Sequence, residues 1–220
     1  MIVKELVTGE ILPLKTSDSC AFALTQMEEN RVHHLPVVND RELLGLISEF
    51  DILNQANLED PIGTVALSLS NAFLNDFQHV FDAFKIITDM KLSLIPVTDV
   101  KGNYLGIITL PNLVEYFAKN TSMLNPGGIV ILEMSENDYS LSEITKIVES
   151  NDAKILNLCV TSHKDSTLMD VTFKLNVMDI VPVIQTFQRY NYKVKATFGQ
   201  RDDLDELRDH YDALMNYLNI

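Results

Sequence analysis

His34-Leu35-Pro36-Val37-Val38, followed by Gly45-Leu46-Ile47-Ser48-Glu49-Phe50-Asp51, recurs as Leu94-Ile95-Pro96-Val97-Thr98 followed by Gly106-Ile107-Ile108-Thr109-Leu110-Pro111-Asn112. The prolines fall at 36 and 96 and the glycines at 45 and 106, so the second copy carries one extra residue between its two runs. Each copy reads as a short strand, a polar turn (39–42 or 99–103), a second strand, and a Ser or Thr opening a helix. The repetition extends upstream. Ala23, Leu24 and Met27 match Ala83, Phe84 and Ile87, on helices expected over Cys20 to Asn30 and His79 to Met90, and Leu12-Pro13-Leu14 matches Ala72-Phe73-Leu74. The unit is therefore linker strand, helix, strand, strand, helix. One copy is too small to bury a sufficient core alone, so the two must pack on each other.

A chain of 220 residues with 46% hydrophobic content suits two compact domains. Its formal net charge of −14, spread over both halves, repels phosphate backbones and anionic lipid, which disfavours a nucleic-acid or membrane role. A phosphorylated ligand would need cations supplied locally. The longest apolar runs, such as Gly128-Ile129-Val130-Ile131-Leu132, are too short to span a bilayer, and no charged and then apolar leader opens the sequence, so a cytoplasmic protein is expected. Cys20 and Cys159 lack CxxC spacing and are expected to be two buried, reduced thiols.

The breaker cluster Asn125-Pro126-Gly127-Gly128 marks a domain boundary. Beyond it the pattern predicts a strand from Ile129 to Met134, a helix carrying Leu141, Ile144, Ile147 and Val148, strands at Ile155 to Val160 and Met169 to Leu175, a helix from Val181 to Tyr190, and a last strand from Lys193 to Phe198. The order βαββαβ is that of a ferredoxin-like split βαβ sandwich over 128–198, giving an α+β chain overall. Leu204, Leu207, Tyr211, Leu214 and Leu218 step by three and four, so a helix over 202–218 is expected to dock on its own domain.

The repeats at about 1–60 and 61–122 resemble a tandem pair of cystathionine-β-synthase (CBS) domains, the Bateman module, with Leu-Pro-Val-Val and Gly-Leu-Ile-Ser-x-x-Asp of the first copy as the most specific segments. Residues 128–198 resemble an ACT domain, and the combination is similar to small regulatory bacterial proteins of the acetoin-utilisation class. The resemblance implies a non-catalytic sensor and a homodimer, with no required cofactor. Its cleft between repeats would take an adenine-containing regulator, either AMP, ADP, ATP or S-adenosylmethionine. In such modules adenine lies against the backbone near Leu35-Pro36 or Ile95-Pro96, and the acid of the Ser/Thr-x-x-Asp element takes the ribose hydroxyls. Occupancy would be relayed through the ACT-like half, to which a further protein partner could respond. The alternative is a constitutive assembly module with degenerate clefts.

The residues carry their own logic. Ser48 and Asp51 stand at a strand-to-helix junction, where a hydroxyl and a carboxylate at a helix N-terminus either receive ribose hydroxyls or close a capping box with no ligand. Thr109 and Asn112 repeat the element without the charge, and lose the charge-assisted bond. His33 and His34 occupy the positions where the family carries a His-Arg pair on phosphates, and Ser93 and Leu94 replace them in the second copy. By the family pattern, Asp51 would face Ser93 and Leu94 while His33 and His34 face Asn112. A ligand with little negative charge near Asp51 is then expected, a nucleoside or sulfonium nucleoside ahead of a triphosphate. No HExxH or comparable spacing predicts a metal, and no phosphate-cradling or nucleophile-elbow motif predicts an enzyme. In the ACT-like half Tyr139 stands where a glycine usually admits a ligand backbone, so that half is expected to dimerise and not to bind amino acids.

Overall fold

The computed structural model describes residues 2–55, 57–163 and 166–199, and the helix expected over 202–218 lies outside them. The chain divides after Phe117 into two units.

In the first unit the repeat is visible in every device of the backbone. Helix α1 (Cys20–Asn30) begins at Ser19, whose Oγ accepts the Phe22 N–H, and ends at Arg31 in the left-handed region with φ 54°. Sixty positions on, α3 (Val80–Met90) begins at His79, whose Nδ1 accepts the Phe81 N–H, and ends at Lys91 with φ 52°. Side-chain caps and left-handed C-caps thus delimit both helices. Strands β1 (His34–Asn39) and β2 (Glu42–Ser48) form one antiparallel hairpin. Strand β3 (Leu74–Asn75) runs parallel to β4 (Leu94–Thr98), which pairs antiparallel with β5 (Tyr104–Thr109). Leu14 bridges Val37 in parallel as Leu74 bridges Val97, and both hairpins shift register one residue later, at Val37/Val38 and Val97/Thr98.

The repeats also exchange their leading segments. Thr8, from the first, pairs in both directions with Ile107 on β5, while Leu69, from the second, accepts the Leu46 N–H of β2. These crossings explain the two repeated glycines. Gly45 and Gly106 both have φ of 148°, and a Cβ on Gly106 would stand 2.6 Å from the Thr8 carbonyl, one on Gly45 2.9 Å from Ser70 Cα. One core serves both copies, with Ala23, Met27, Leu35, Leu46 and Ile47 beside Ala83, Ile87, Ile95, Ile107 and Ile108. Burying two half-cores as one is what makes either repeat stable.

The copies diverge after their second strands. Helix α2 (Glu49–Leu53) has five residues and α4 (Leu110–Asn120) eleven.

The second unit has β6 (Ile129–Ser135), α5 (Leu141–Glu149), β7 (Ile155–Ser162), β8 (Leu168–Leu175), α6 (Val181–Arg189) and β9 (Lys193–Phe198). The sheet order β7-β8-β6-β9, antiparallel throughout, is the split βαβ arrangement expected. Alternate residues Val130, Leu132, Met134 and Met169, Val171, Phe173, Leu175 face the helices, packing on Ile144, Val148, Val183 and Phe187. Cys20 is buried as expected, but Cys159 is exposed. It lies on an outer strand, out of phase with the core-packed Leu158, so its side chain stands on the face of the sheet that the helices do not cover.

Candidate functional site

The β2–α2 junction places Ser48 and Asp51 in one capping box. Ser48 Oγ accepts the Asp51 N–H at 3.1 Å, and Asp51 Oδ2 accepts the Ser48 N–H at 3.0 Å. That oxygen accepts a further bond at 2.8 Å from the hydroxyl of Ser68, in the crossing segment of the second repeat. The carboxylate is half-buried. The helix-capping and ligand-binding readings of this element are therefore not exclusive: the cap fixes the rotamer, and Ser68 shows that a hydroxyl from outside α2 reaches the charge.

His34, at the start of β1, is half-buried and faces Ser93, the counterpart of its neighbour His33. Its Nδ1 accepts the Ser93 N–H at 3.3 Å and stands 3.1 Å from Ser93 Oγ, which in turn accepts the His33 N–H at 3.0 Å. A ring nitrogen that accepts from a backbone N–H is unprotonated, so the proton resides on Nε2 and His34 is neutral. Burial, with a smaller push from His33, holds its pKa below the ordinary 6.5, while the Asp51 carboxylate pulls the other way. His34 also pairs with Ser48 across the hairpin, so its ring and the Asp51 carboxylate belong to the same end of the first repeat. The repeats meet at the starts of β1 and β4, where Ser93 is the hydrogen-bond partner of His34.

His33 is set apart. Its exposed ring contacts Glu49 Oε2 at 2.9 Å and borders a groove of about 490 Å³ between α1 and α2 that includes Arg31 and Leu53.

The second junction is plainer. Thr109 Oγ1 accepts the Asn112 N–H at 3.3 Å, a single cap. Thr8, which corresponds to Ser68, directs its Oγ1 to the Glu10 N–H. Leu35, Pro36, Ile95 and Pro96 are buried, with the Leu35 and Ile95 side chains wholly in the core, so these segments offer a ligand only their backbone. Sequence reasoning missed Ser68 and Thr8, because nothing in their local pattern announces that each leading segment crosses to the other repeat.

In the second unit, a cleft of about 530 Å³ is lined by residues including Glu133, Asn137, Asp138, Glu143, Tyr192 and Lys193. Tyr139, next to this cleft in sequence, is half-buried and packs against the core of the unit. Lys193 and Lys195 hold the Glu133 and Asp170 carboxylates below their ordinary pKa values. Among the described residues no group of three or more His, Cys, Asp or Glu could hold a metal ion, and no helix is long and apolar enough to cross a membrane.

Two crossed repeats of this form have a counterpart among known families: residues 3–57 and 70–119 match the model of the CBS domain. The first unit is a tandem CBS pair. A CBS domain-containing protein of Dictyostelium discoideum is 26% identical over 134 residues, covering 54% of this chain and 92% of its own. The L-aspartate semialdehyde sulfurtransferase of Methanosarcina acetivorans is 28% identical over 121 residues, again 54% of this chain but 24% of that enzyme. A solved CBS domain pair/ACT domain protein of Thermotoga maritima superposes with a TM-score of 0.50 at 19% identity, covering 54% of this chain and 98% of that one, a likeness of fold.

Proposed function

We propose that the CBS pair is a regulatory sensor that binds an adenine-containing ligand beside Asp51, with the cleft at Asn112 weaker or empty. The carrying observation is the Asp51 carboxylate, half-buried, fixed by its capping box, and already receiving a hydroxyl from Ser68. A ribose diol offers the same donors. Around it stand neutral His34, Ser48 and Ser93, with no lysine or arginine among the hydrogen-bonded set. That balance favours adenosine or S-adenosylmethionine over a triphosphate.

The second unit is ACT-like, on its βαββαβ order, and serves as a dimerisation and relay domain. The chain forms a homodimer, which also uses the helices of the CBS pair: Phe50 and Leu53 on α2 and Leu110 and Val114 on α4 are all exposed. Light scattering at micromolar concentration should give twice the chain mass. Binding shifts a pre-existing equilibrium between repeat orientations, and no catalytic step is involved. A thermal-shift screen against adenosine, AMP, ATP, S-adenosylmethionine and the amino acids tests the reading. A compound at a hundred times its dissociation constant adds about 2.7 kcal/mol to stability, which raises the melting temperature by a few degrees. A response to adenine compounds supports the sensor, and a flat response to all of them leaves the assembly module.

A further inference from the structure

We infer that Ser68 is a latch on the Asp51 cleft: its hydroxyl holds the position of a ligand hydroxyl, and a vicinal diol opens the cleft by displacing it. This rests on the reading of Asp51 as the ribose acid.

Three observations converge. Ser68 Oγ donates to Asp51 Oδ2 at 2.8 Å across 17 residues of sequence, so the bond ties the connector between the repeats to the head of α2. The connector is fixed immediately beside it, where the Leu46 N–H reaches the Leu69 carbonyl and Ser70 packs against Gly45. The corresponding threonine in the other repeat makes no such bond, since Thr8 Oγ1 receives the Glu10 N–H and Asn112 receives no hydroxyl from it. The latch exists only where the acid is.

Its chemistry sets both selectivity and signal. A carboxylate oxygen already holding the Ser48 N–H and the Ser68 hydroxyl gives up the second bond only to a ligand that returns at least as much. Adenosine, with two adjacent hydroxyls, replaces one bond by two; 2′,3′-dideoxyadenosine replaces it by none. Losing Ser68 frees residues 67–70 from α2 while leaving them attached to β2, so occupancy is written into the segment that joins the repeats.

The test is calorimetric titration of the full chain with adenosine and with 2′,3′-dideoxyadenosine, alongside hydrogen exchange of the amides at 67–70. Ser68→Ala should bind adenosine roughly threefold more tightly, as expected for removing one exposed competing hydrogen bond. Without ligand its 67–70 amides should exchange as fast as those of the adenosine-bound wild type. Ser68→Thr, which keeps the hydroxyl, and Thr8→Ala should match the wild type in both. Weaker adenosine binding by Ser68→Ala would make Ser68 a ligand contact, and unchanged binding would make its bond to Asp51 idle; either overturns the latch while the Asp51 site stands. Adenosine binding to neither the wild type nor Ser68→Ala would overturn the site itself, and the latch with it.

Discussion

The two CBS repeats have nearly the same backbone and different chemistry. Caps, bulges, crossings and glycines recur at matching positions, yet the first repeat has Asp51 in a reciprocal cap under His34, and the second has Asn112 in a single cap beside Leu94. Packing constrains the shared features, because both copies build one core. Asp51 and Asn112 at the helix heads are half-exposed and free to differ. The comparison separates what the fold demands from what one cleft does.

The largest effect should come from the shared features. Gly106→Ala sets a Cβ against the Thr8 carbonyl and Val7 Cγ1, both 2.6 Å away, at a φ that side chains rarely adopt, and should cost about 3 kcal/mol or more. Gly45→Ala, with its nearest backbone atom at 2.9 Å, should cost less, about 2 kcal/mol. Urea unfolding would rank them, and the reverse order would mean that the crossings are not equivalent.

Next come the helix heads. Asp51→Ala keeps the Ser48 cap but removes the carboxylate that accepts the Ser48 N–H and the Ser68 hydroxyl, and should destabilise the ligand-free protein by about 1 kcal/mol, whereas Asn112→Ala keeps the Thr109 cap, loses no such carboxylate and should be nearly neutral. Equal losses in denaturant titrations would erase the distinction between the two junctions.

Acid should act on the first repeat through His34. Its folded pKa lies below 6.5, so the unfolded chain binds the proton more readily; this contribution to stability is complete above pH 6.5 and is lost as pH falls through the folded value. His34→Leu, which copies Leu94 of the second repeat, should lack this part of the decline. Stability measured from pH 7 to 5 for the wild type and the variant reads the difference directly.

The smallest effect tests a polar group that the first repeat does without. Tyr104 takes the place of Leu43, and its hydroxyl is buried with no hydrogen-bond partner among the described residues; burial pushes its pKa up to about 12. Tyr104→Phe should stabilise the fold by about 0.5 kcal/mol, and a loss in the same unfolding assay would point to a partner for the hydroxyl.

Much of the architecture was legible because it rests on local rules. The period of the repeat gave α1 and α3 together with their hairpins, and alternation and helical spacing gave the four strands and two α-helices described in the second unit. What local pattern does not encode is who meets whom. The exchange of segments that brings Ser68 to Asp51 and Thr8 to β5 is a tertiary fact, as is the junction that turns His34 onto Ser93. Cys159 follows the same principle: its strand was predictable, but burial depends on whether anything covers that face of the sheet.

Calorimetric titration of the full chain with adenosine, for the wild type, Asp51→Ala and Asn112→Ala, tests the central claim most directly. The account predicts one adenosine per chain, retained by Asn112→Ala and weakened at least tenfold by Asp51→Ala, because charge-assisted bonds to the ribose are lost at about 1.5 to 3 kcal/mol each. Binding that survives Asp51→Ala and disappears in Asn112→Ala would assign the ligand to the other repeat and contradict the account.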